Sequence, residues 1–390
     1  MKVLMICNTD GALYVFRKPI INRLVACGHE VDSISAASRY FEPLNALGVN
    51  PLQLDFARHS VSPLSNVRLL RALYAMVRRL KPDVVHNFTH KPAIFGSIAA
   101  RLAGVKGIFI TITGLGSLFV HDDPKTRLMR YLLLAQYKFA LGFVDTVFFQ
   151  NPDDMEYFVS KKLVGPGKAV LTYGSGLDLD EYRLPATEEI ARARAMLGDE
   201  LGVDLRGRKV ALFPARGVPE KGFFEFYRAA KTINALEPDA YAFLHLGLVD
   251  ADAARRISKE GIEQYAADCG VKYLGFKDNI KDYMIASDIV VLPSSYREGT
   301  PRSLIEALAL GKAIVTTDMP GCRETVIDGW NGYLCRKGDE QSLVAKLLAV
   351  DGEMLTAARS RSRRYCETKY DAAWLADLTL GRYQGSLNSE

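Results

Sequence analysis

No apolar run in the 390-residue sequence is long enough to cross a bilayer. The longest uncharged one, from Gly107 to Val120, falls short of the roughly 18–20 residues a spanning helix needs and is broken by Gly114 and Gly116. A transmembrane chain is therefore excluded. Cysteine is sparse: Cys7, Cys27, Cys269, Cys322, Cys335 and Cys366 form no C-x-x-C pair, which fits neither a disulfide framework nor a zinc site. A reducing, cytoplasmic setting is expected. The first strand-like run starts at Met1 and passes at once into Asn8-Thr9-Asp10-Gly11, so no cleavable signal peptide is expected. The first β-turn has no G-x-G-x-x-G, and Gly114-Leu115-Gly116 lacks the third glycine, which argues against a nicotinamide oxidoreductase. No cluster of His and Asp at ligand spacing stands out, so no metal ligand is assigned.

What is present is globular. With 48% hydrophobic and 24% charged residues, disorder and repeat arrays are poor readings, and the length suits two domains at roughly 150 residues each. The first half alternates short β-branched runs with helical patterns. Its strands are read at Lys2–Cys7, Val31–Ser35, Asp83–Phe88, Gly107–Ile112, Thr146–Gln150 and Ala169–Tyr173. Helices are read around Lys18–Cys27, Leu64–Leu80, Ile94–Leu102 and Thr126–Leu141. Fully apolar strands alternating with helices predict a parallel sheet covered on both faces. A charged helix follows, Thr187 to Met196, within a linker placed near residues 175–205. The pattern then restarts with strands at Lys209–Pro214, Tyr241–Gly247, Val271–Leu274, Asp288–Leu292, Ala313–Thr317 and Gly332–Cys335, and helices around Ala253–Cys269 and from Pro301.

The expected fold class is α/β, with two Rossmann-like doubly wound domains facing an interdomain cleft. Residues 1–180 form the first domain and 181–369 the second, and the amphipathic segment Ala372–Tyr383 within 370–390 can pack back on the first.

The sharpest stretch runs from Ser294 to Gly311, directly after an apolar strand. Thr300 reads as an N-cap, Pro301 as the first helical residue and Gly311 as the stop. Main-chain N–H groups of Arg302, Ser303 and Leu304 would then favour an anion. Glu298 precedes this helix and Glu306 lies about one and a half turns inside it, so two carboxylates can border one ligand and accept from sugar hydroxyls. Solvated glutamates at this spacing also arise by chance. A second loop, Leu212 to Gly222, holds Arg216 and Lys221 at a strand end, where two cations can clamp a diphosphate. A solvated basic loop would look alike if it stood alone.

The order Arg216-x4-Lys221, Gly275-Phe276, Glu298-x7-Glu306, with Gly174-Ser175-Gly176-Leu177-Asp178 and Met319 to Val326, resembles family-4 retaining glycosyltransferases of the GT-B fold over essentially the whole chain. The resemblance implies a nucleotide-sugar donor in the second domain, with Arg216 and Lys221 on its diphosphate, Glu306 on the ribose and Glu298 on the transferred sugar. The base would meet backbone near Phe276. Gly299, Thr300 and Arg302 to Leu304 would face the distal phosphate, and Gly11 would approach the diphosphate from the other domain by close backbone contact. The family needs no metal or other cofactor beyond the UDP-sugar co-substrate, and it retains anomeric configuration.

On the acceptor side, Asn87 to Pro92 and Thr111 to Ser117 look like the subgroup acting on diphospho-undecaprenyl-linked oligosaccharides. His90, Lys91 and Thr113 are the acceptor-binding candidates: His90 to bond a sugar, Lys91 to pair with a lipid diphosphate. His86 reads as structural. Thr113 stands where many family members carry a histidine.

The net charge of +5 is concentrated. From Arg58 to Pro82, Arg58, Arg68, Arg71, Arg78, Arg79 and Lys81 occur without an acid. Leu69, Leu70, Leu73, Met76 and Val77 can form an apolar stripe there that lies on an anionic leaflet. Lys125, Arg127, Arg130 and Lys138, among Leu128, Tyr131, Leu132 and Leu133, repeat the composition. Ordinary surface helices with apolar sides in the core would read alike. The expected function is transfer of a hexose or N-acetylhexosamine from a UDP-sugar to a lipid-linked saccharide at the cytoplasmic face of a bacterial inner membrane, without nucleic acid. The alternatives are a GT-B-like nucleotide-sugar epimerase and a non-catalytic basic membrane-binding protein.

Overall fold

The computed structural model describes residues 1–56, 62–120, 122–248 and 259–388. The chain divides into two compact units, Met1–Asp178 with Asp371–Glu390, and Leu179–Tyr370.

The first unit runs β1 (Lys2–Thr9), α1 (Asp10–Ala26), β2 (Glu30–Ala36), α2 (Phe41–Ala46), β3 (Val49–Gln53), α3 (Pro63–Leu80), β4 (Val84–Phe88), α4 (Ser97–Leu102), β5 (Gly107–Ile112), α5 (Pro124–Leu141), β6 (Thr146–Phe149), α6 (Pro152–Ser160) and β7 (Ala169–Leu171). Its strands form one parallel sheet in the order β3-β2-β1-β4-β5-β6-β7. The pleat sends successive residues to opposite faces. Leu4 and Ile6 join Leu69, Leu73, Val77, Ile110 and Phe149 in one core layer. Val3 and Met5 join Leu13, Leu24, Phe109 and Phe148 in the other.

Side-chain caps start α1, α5 and α6: Thr9 accepts from the Ala12 N–H at 3.3 Å, Asp123 from the Thr126 N–H at 3.1 Å, and Asn151 from the Asp154 N–H at 2.7 Å. Because Thr9 caps at once, α1 begins at Asp10 and not near Lys18, and Pro19 lies inside it. β3 carries Pro51 and pairs only with β2, an edge position where a missing N–H is tolerated.

The second unit runs α7 (Thr187–Leu201), β8 (Lys209–Pro214), α8 (Phe223–Leu236), β9 (Tyr241–Leu246), α9 (Lys259–Cys269), β10 (Val271–Gly275), α10 (Ile280–Ala286), β11 (Ile289–Leu292), α11 (Arg302–Ala309), β12 (Ala313–Thr317), β13 (Gly332–Cys335), α12 (Glu340–Leu348) and α13 (Gly352–Lys369). The sheet is again parallel, in the order β10-β9-β8-β11-β12-β13. Residues 253–258 of the helix read around Ala253–Cys269 lie outside the described residues.

The segment read as a linker is no free connector. α7 is held to the second sheet by Arg194, whose guanidinium donates to Asp288 Oδ2 (2.7 Å), Leu205 O (2.8 Å) and Arg208 O (2.7 Å).

The last helix, α14 (Ala372–Leu387), lies on the α1 side of the first sheet, with Ala376, Leu380 and Tyr383 in that core layer. His86 on β4 bonds Tyr383 Oη (2.5 Å) through Nδ1 and Thr111 Oγ1 (2.8 Å) through Nε2. Burial holds this imidazole well below its usual pKa, so it is a neutral cross-link.

The apolar stripe of α3 belongs to the core. Leu69, Leu73 and Val77 are buried, and Leu70 and Met76 pack against them, so the stripe is not open to a leaflet. The reason is ordinary amphipathicity: the residues at three- and four-residue spacing face the sheet and Arg68, Arg71, Arg78 and Arg79 face out. Arg58 lies outside the described residues.

Candidate functional site

In the second sheet the chain leaves β8 toward β9 and β10, and leaves β11 toward β12 and β13. The carboxyl ends of β8 and β11 therefore flank a topological switch point, the usual place for a ligand in an open parallel sheet. The two loops singled out in the sequence are the ones that emerge there.

Glycine permits their close approach. Gly222 has φ +82°, and a Cβ on it would stand 2.2 Å from Pro293 O. The Ser295 N–H donates to Glu220 O (2.9 Å), so the loops are joined through the backbone. Lys221 Nζ consequently meets Glu298 Oε1 in a hydrogen-bonded ion pair, with Ser294 Oγ also donating to that oxygen (3.0 Å). Both side chains are largely shielded from solvent, and the ammonium lies 5.9 Å from the Tyr296 ring centroid. Behind this loop, Gly321 (φ +86°) comes so near that a Cβ would be 2.4 Å from Gly299 O. The Met319–Val326 segment is thus a backing wall.

α11 starts one residue later than expected. Pro301 is extended (φ −61°, ψ 121°) and serves as the cap residue, with its carbonyl accepting from the Leu304 (3.0 Å) and Ile305 (3.2 Å) N–H groups. Thr300 is therefore outside the helix, and Leu304 is corrected as an anion donor because its N–H is committed and its side chain is buried in the core. Arg302 and Ser303 keep the first-turn positions whose N–H groups lack intrahelical acceptors.

Glu306 is buried on α11, and its Oε1 accepts from Arg302 Nε (2.8 Å) and from the Tyr182 hydroxyl (3.0 Å). Burial pushes the carboxyl's pKa up, and Arg302 works against that shift. Tyr182, whose own pKa is raised chiefly by burial, is the residue that sequence reading missed. It sits in an irregular connection with no motif. Its place is set by Arg363 on α13, which donates to Tyr182 O (2.6 Å) and Ala309 O (3.3 Å).

Arg216 lies exposed on the β8 loop. That loop is anchored by His245 on β9, fully buried, whose Nε2 donates to Ala215 O (2.9 Å). Nδ1 is then the acceptor and the Tyr227 hydroxyl its donor (2.7 Å). Burial lowers the His245 pKa to about 4, so the ring is neutral. Gly247 completes the anchor, since a Cβ there would fall 1.8 Å from Ala215 O. Phe276 follows β10, two strands from β8, and is 47% exposed.

In the first unit, Gly11 is corrected. It lies in the first turn of α1 rather than in a loop; its N–H donates to Asp10 Oδ1 (2.6 Å), and the close approach it permits is taken by the Tyr40 ring, 3.0 Å from an added Cβ. His90 and Lys91 follow β4 in the first helical turn, and Thr113 follows β5, half-buried. His90 Nδ1 bonds the Tyr137 hydroxyl on α5 (2.7 Å), and burial pulls its pKa to about 4. Lys91 Nζ donates to Phe56 O (3.1 Å), and burial lowers its pKa, opposed by Asp55. The structure thus joins Lys221 to Glu298 and Glu306 to Arg302, and ties His90 and Lys91 to neighbours of their own.

Residues 2–151 match the family described as Glycosyl transferase 4-like and residues 204–359 the family described as Glycosyl transferases group 1. The N,N'-diacetylbacillosaminyl-diphospho-undecaprenol alpha-1,3-N-acetylgalactosaminyltransferase of Campylobacter jejuni is 28% identical over 98% of this chain and 98% of its own. A Bacillus subtilis protein named for teichuronic acid biosynthesis, TuaC, is 31% identical over 79% of this chain and 72% of its own. The solved structure of Anabaena HepE with UDP and glucose superposes with a TM-score of 0.78 at 19% identity, covering 99% of this chain and 100% of that one.

Two doubly wound parallel sheets of this order, matched in full by such neighbours, make the protein a GT-B glycosyltransferase in fold. The chain belongs to the group 1 glycosyl transferases, with a family-4-like amino-terminal region.

Proposed function

We propose that the protein transfers a hexose or N-acetylhexosamine from a UDP-sugar to a diphospho-undecaprenyl-linked saccharide in bacterial surface-glycan or glycoprotein-glycan assembly. The transfer retains anomeric configuration and uses no metal. The observation that carries this reading is the Lys221–Glu298 pair at the β8/β11 switch point, with Glu298 in the loop that leads into α11, the helix that bears the buried Glu306. The full-length likeness to the Campylobacter jejuni transferase supports the acceptor class.

In this mechanism the donor's diphosphate meets the Lys221 ammonium, the Arg216 guanidinium and the first-turn N–H groups of α11. Negative charge develops on that diphosphate as the anomeric C–O bond breaks, so cations held in advance stabilise the transition state more than the ground state. Glu298 accepts from hydroxyls of the transferred sugar, and Glu306 accepts from the ribose through Oε2, with Oε1 held by Tyr182 and Arg302. The acceptor hydroxyl forms the new bond on the face the diphosphate leaves and passes its proton to the departing phosphate oxygen. No enzymatic nucleophile is assigned. The protein works at the cytoplasmic face of the inner membrane, attached peripherally to its anionic surface.

The test is a panel of UDP-sugars scored by protection against thermal unfolding, followed by turnover on a lipid-linked acceptor. Protection by UDP-sugars that Glu306→Ala abolishes is the expected result. Equal protection of both proteins would overturn the ribose assignment, and turnover by none of the panel would overturn the donor class.

A further inference from the structure

A surface helix on a sheet needs one apolar face, and α5 has two. Its inner face, Tyr137, Ala140 and Leu141, is buried. Its outer face carries Leu128, Tyr131, Leu132 and Phe139, exposed at 60%, 70%, 52% and 59%. Their spacing of three, four and eleven residues puts all four on one stripe. Large apolar side chains gathered in this way, and not scattered singly, mark an interaction surface.

Charge and position select the occupant. Lys125, Arg127 and Lys138 border the stripe, all exposed, and no acid occurs from Pro124 to Leu141. Cations flanking an aromatic and aliphatic face suit an anionic lipid interface. The same helix supports both loops read as the acceptor side: Tyr137 bonds His90, and Arg130 Nε donates to Leu118 O (2.8 Å) just beyond Gly114-Leu115-Gly116, with its guanidinium 5.5 Å from the Phe119 ring centroid. On α3, by contrast, the long apolar stripe is spent on the core.

We infer that the outer face of α5 is the membrane-inserting surface, with Leu128, Tyr131, Leu132 and Phe139 entering the headgroup region of an anionic bilayer and the flanking cations pairing with its phosphates. The inference deepens the proposed function and rests on its reading of the adjacent loops as the acceptor side. A lipid-linked acceptor whose chain stays in the bilayer would then present its saccharide beside His90 and Thr113.

The experiment is sedimentation of the full chain with vesicles of phosphatidylglycerol and phosphatidylethanolamine, and with phosphatidylcholine alone. The variants are Leu128→Ser with Tyr131→Ser and Leu132→Ser, and separately Lys125→Glu with Lys138→Glu. These side chains are exposed, so thermal unfolding and protection by UDP should match the wild type. The wild type should bind the anionic vesicles. The serine variant should lose at least about tenfold in vesicle affinity even at low salt, because apolar burial drives that part of binding. The glutamate variant should lose binding in a salt-dependent way.

Full vesicle binding by the serine variant would overturn the inference. So would a wild-type dimer in solution that the serine substitutions dissolve, since the occupant would then be a second copy. Vesicle binding requires no turnover: loss in the variants together with failure on every UDP-sugar would leave this surface standing and remove the proposed function.

Discussion

The two sheets hold the candidate polar groups at their strand ends in different chemical settings. At the β8/β11 end, groups of opposite charge sit against each other: Lys221 on Glu298 and Arg302 on Glu306. At the ends of β4 and β5, the hydrogen bonds of the candidate groups go to neutral acceptors and donors, His90 to a tyrosine hydroxyl and Lys91 to a backbone carbonyl, with Asp55 acting on Lys91 through its charge. Held charges suit a ligand that is itself charged and whose charge grows during reaction, because they need no reorganisation at that moment. A neutral, partly buried imidazole such as that of His90 suits hydroxyl recognition, where a small number of bonds sets preference. A donor half and an acceptor half of a group 1 glycosyl transferase should differ in this way.

Lys221→Ala is the sharpest way to break the contrast. It removes one cation from the second-unit site and leaves the Glu298 carboxylate without its ammonium. Turnover should fall about 10³-fold, on the scale of losing one preorganised charge, with kcat and kcat/KM falling together. A change in KM alone would put the lysine outside the transition state.

Acid provides the next largest effect. Burial keeps His245 neutral in the folded protein down to about pH 4, while the unfolded chain takes up a proton at the ordinary imidazole value of about 6.5. Stability from this group is therefore full above pH 6.5 and declines as pH falls toward 4, by up to about 3 kcal/mol. Urea unfolding of the wild type and of His245→Phe across pH 7 to 4 measures it as the difference in slope. Identical slopes would remove His245 as the neutral anchor of the Arg216 loop.

Tyr182→Phe should act more gently. It deletes one hydrogen bond to a buried carboxylate, worth about 1–2 kcal/mol, and should raise the donor KM up to about tenfold with kcat little changed. His90→Ala should have the smallest effect on donor chemistry. It leaves the Tyr137 hydroxyl without its partner at a cost of about 1 kcal/mol in stability, yet protection by UDP should be unaltered while acceptor use declines. Loss of UDP protection in that variant would erase the distinction between the two halves.

Much of the fold is local and hence readable. The strands of both sheets are short apolar runs between turn residues, and α5 is legible close to its place, whereas the short α6 is not, although Asn151-Pro152 marks its start. β3 is masked by Pro51, which only an edge position accommodates, and the start of α1 is masked by Pro19. In the site, Glu298, Glu306, Arg216 and Lys221 could be named because they occupy fixed offsets from strand ends. Tyr182 could not, since it reaches Glu306 across 124 residues from a segment without periodicity.

Two sets of facts separate accordingly. The sequence alone determined the alternation of strand and helix, the apolar cores and the charge-bearing loops, because each depends on neighbours a few residues apart. Tertiary structure decided which charges meet, since strand order alone brings Lys221 beside Glu298 over 77 residues. It also decided which basic helix has an unburied apolar face. Both α3 and α5 carry basic and apolar residues in similar proportion, but packing buries the long stripe of α3 and leaves Leu64 and Val67 exposed near its start, whereas α5 buries Tyr137 and still turns four large apolar side chains outward. Helical periodicity tells how many faces are apolar, and only the layer beneath tells which of them is already covered.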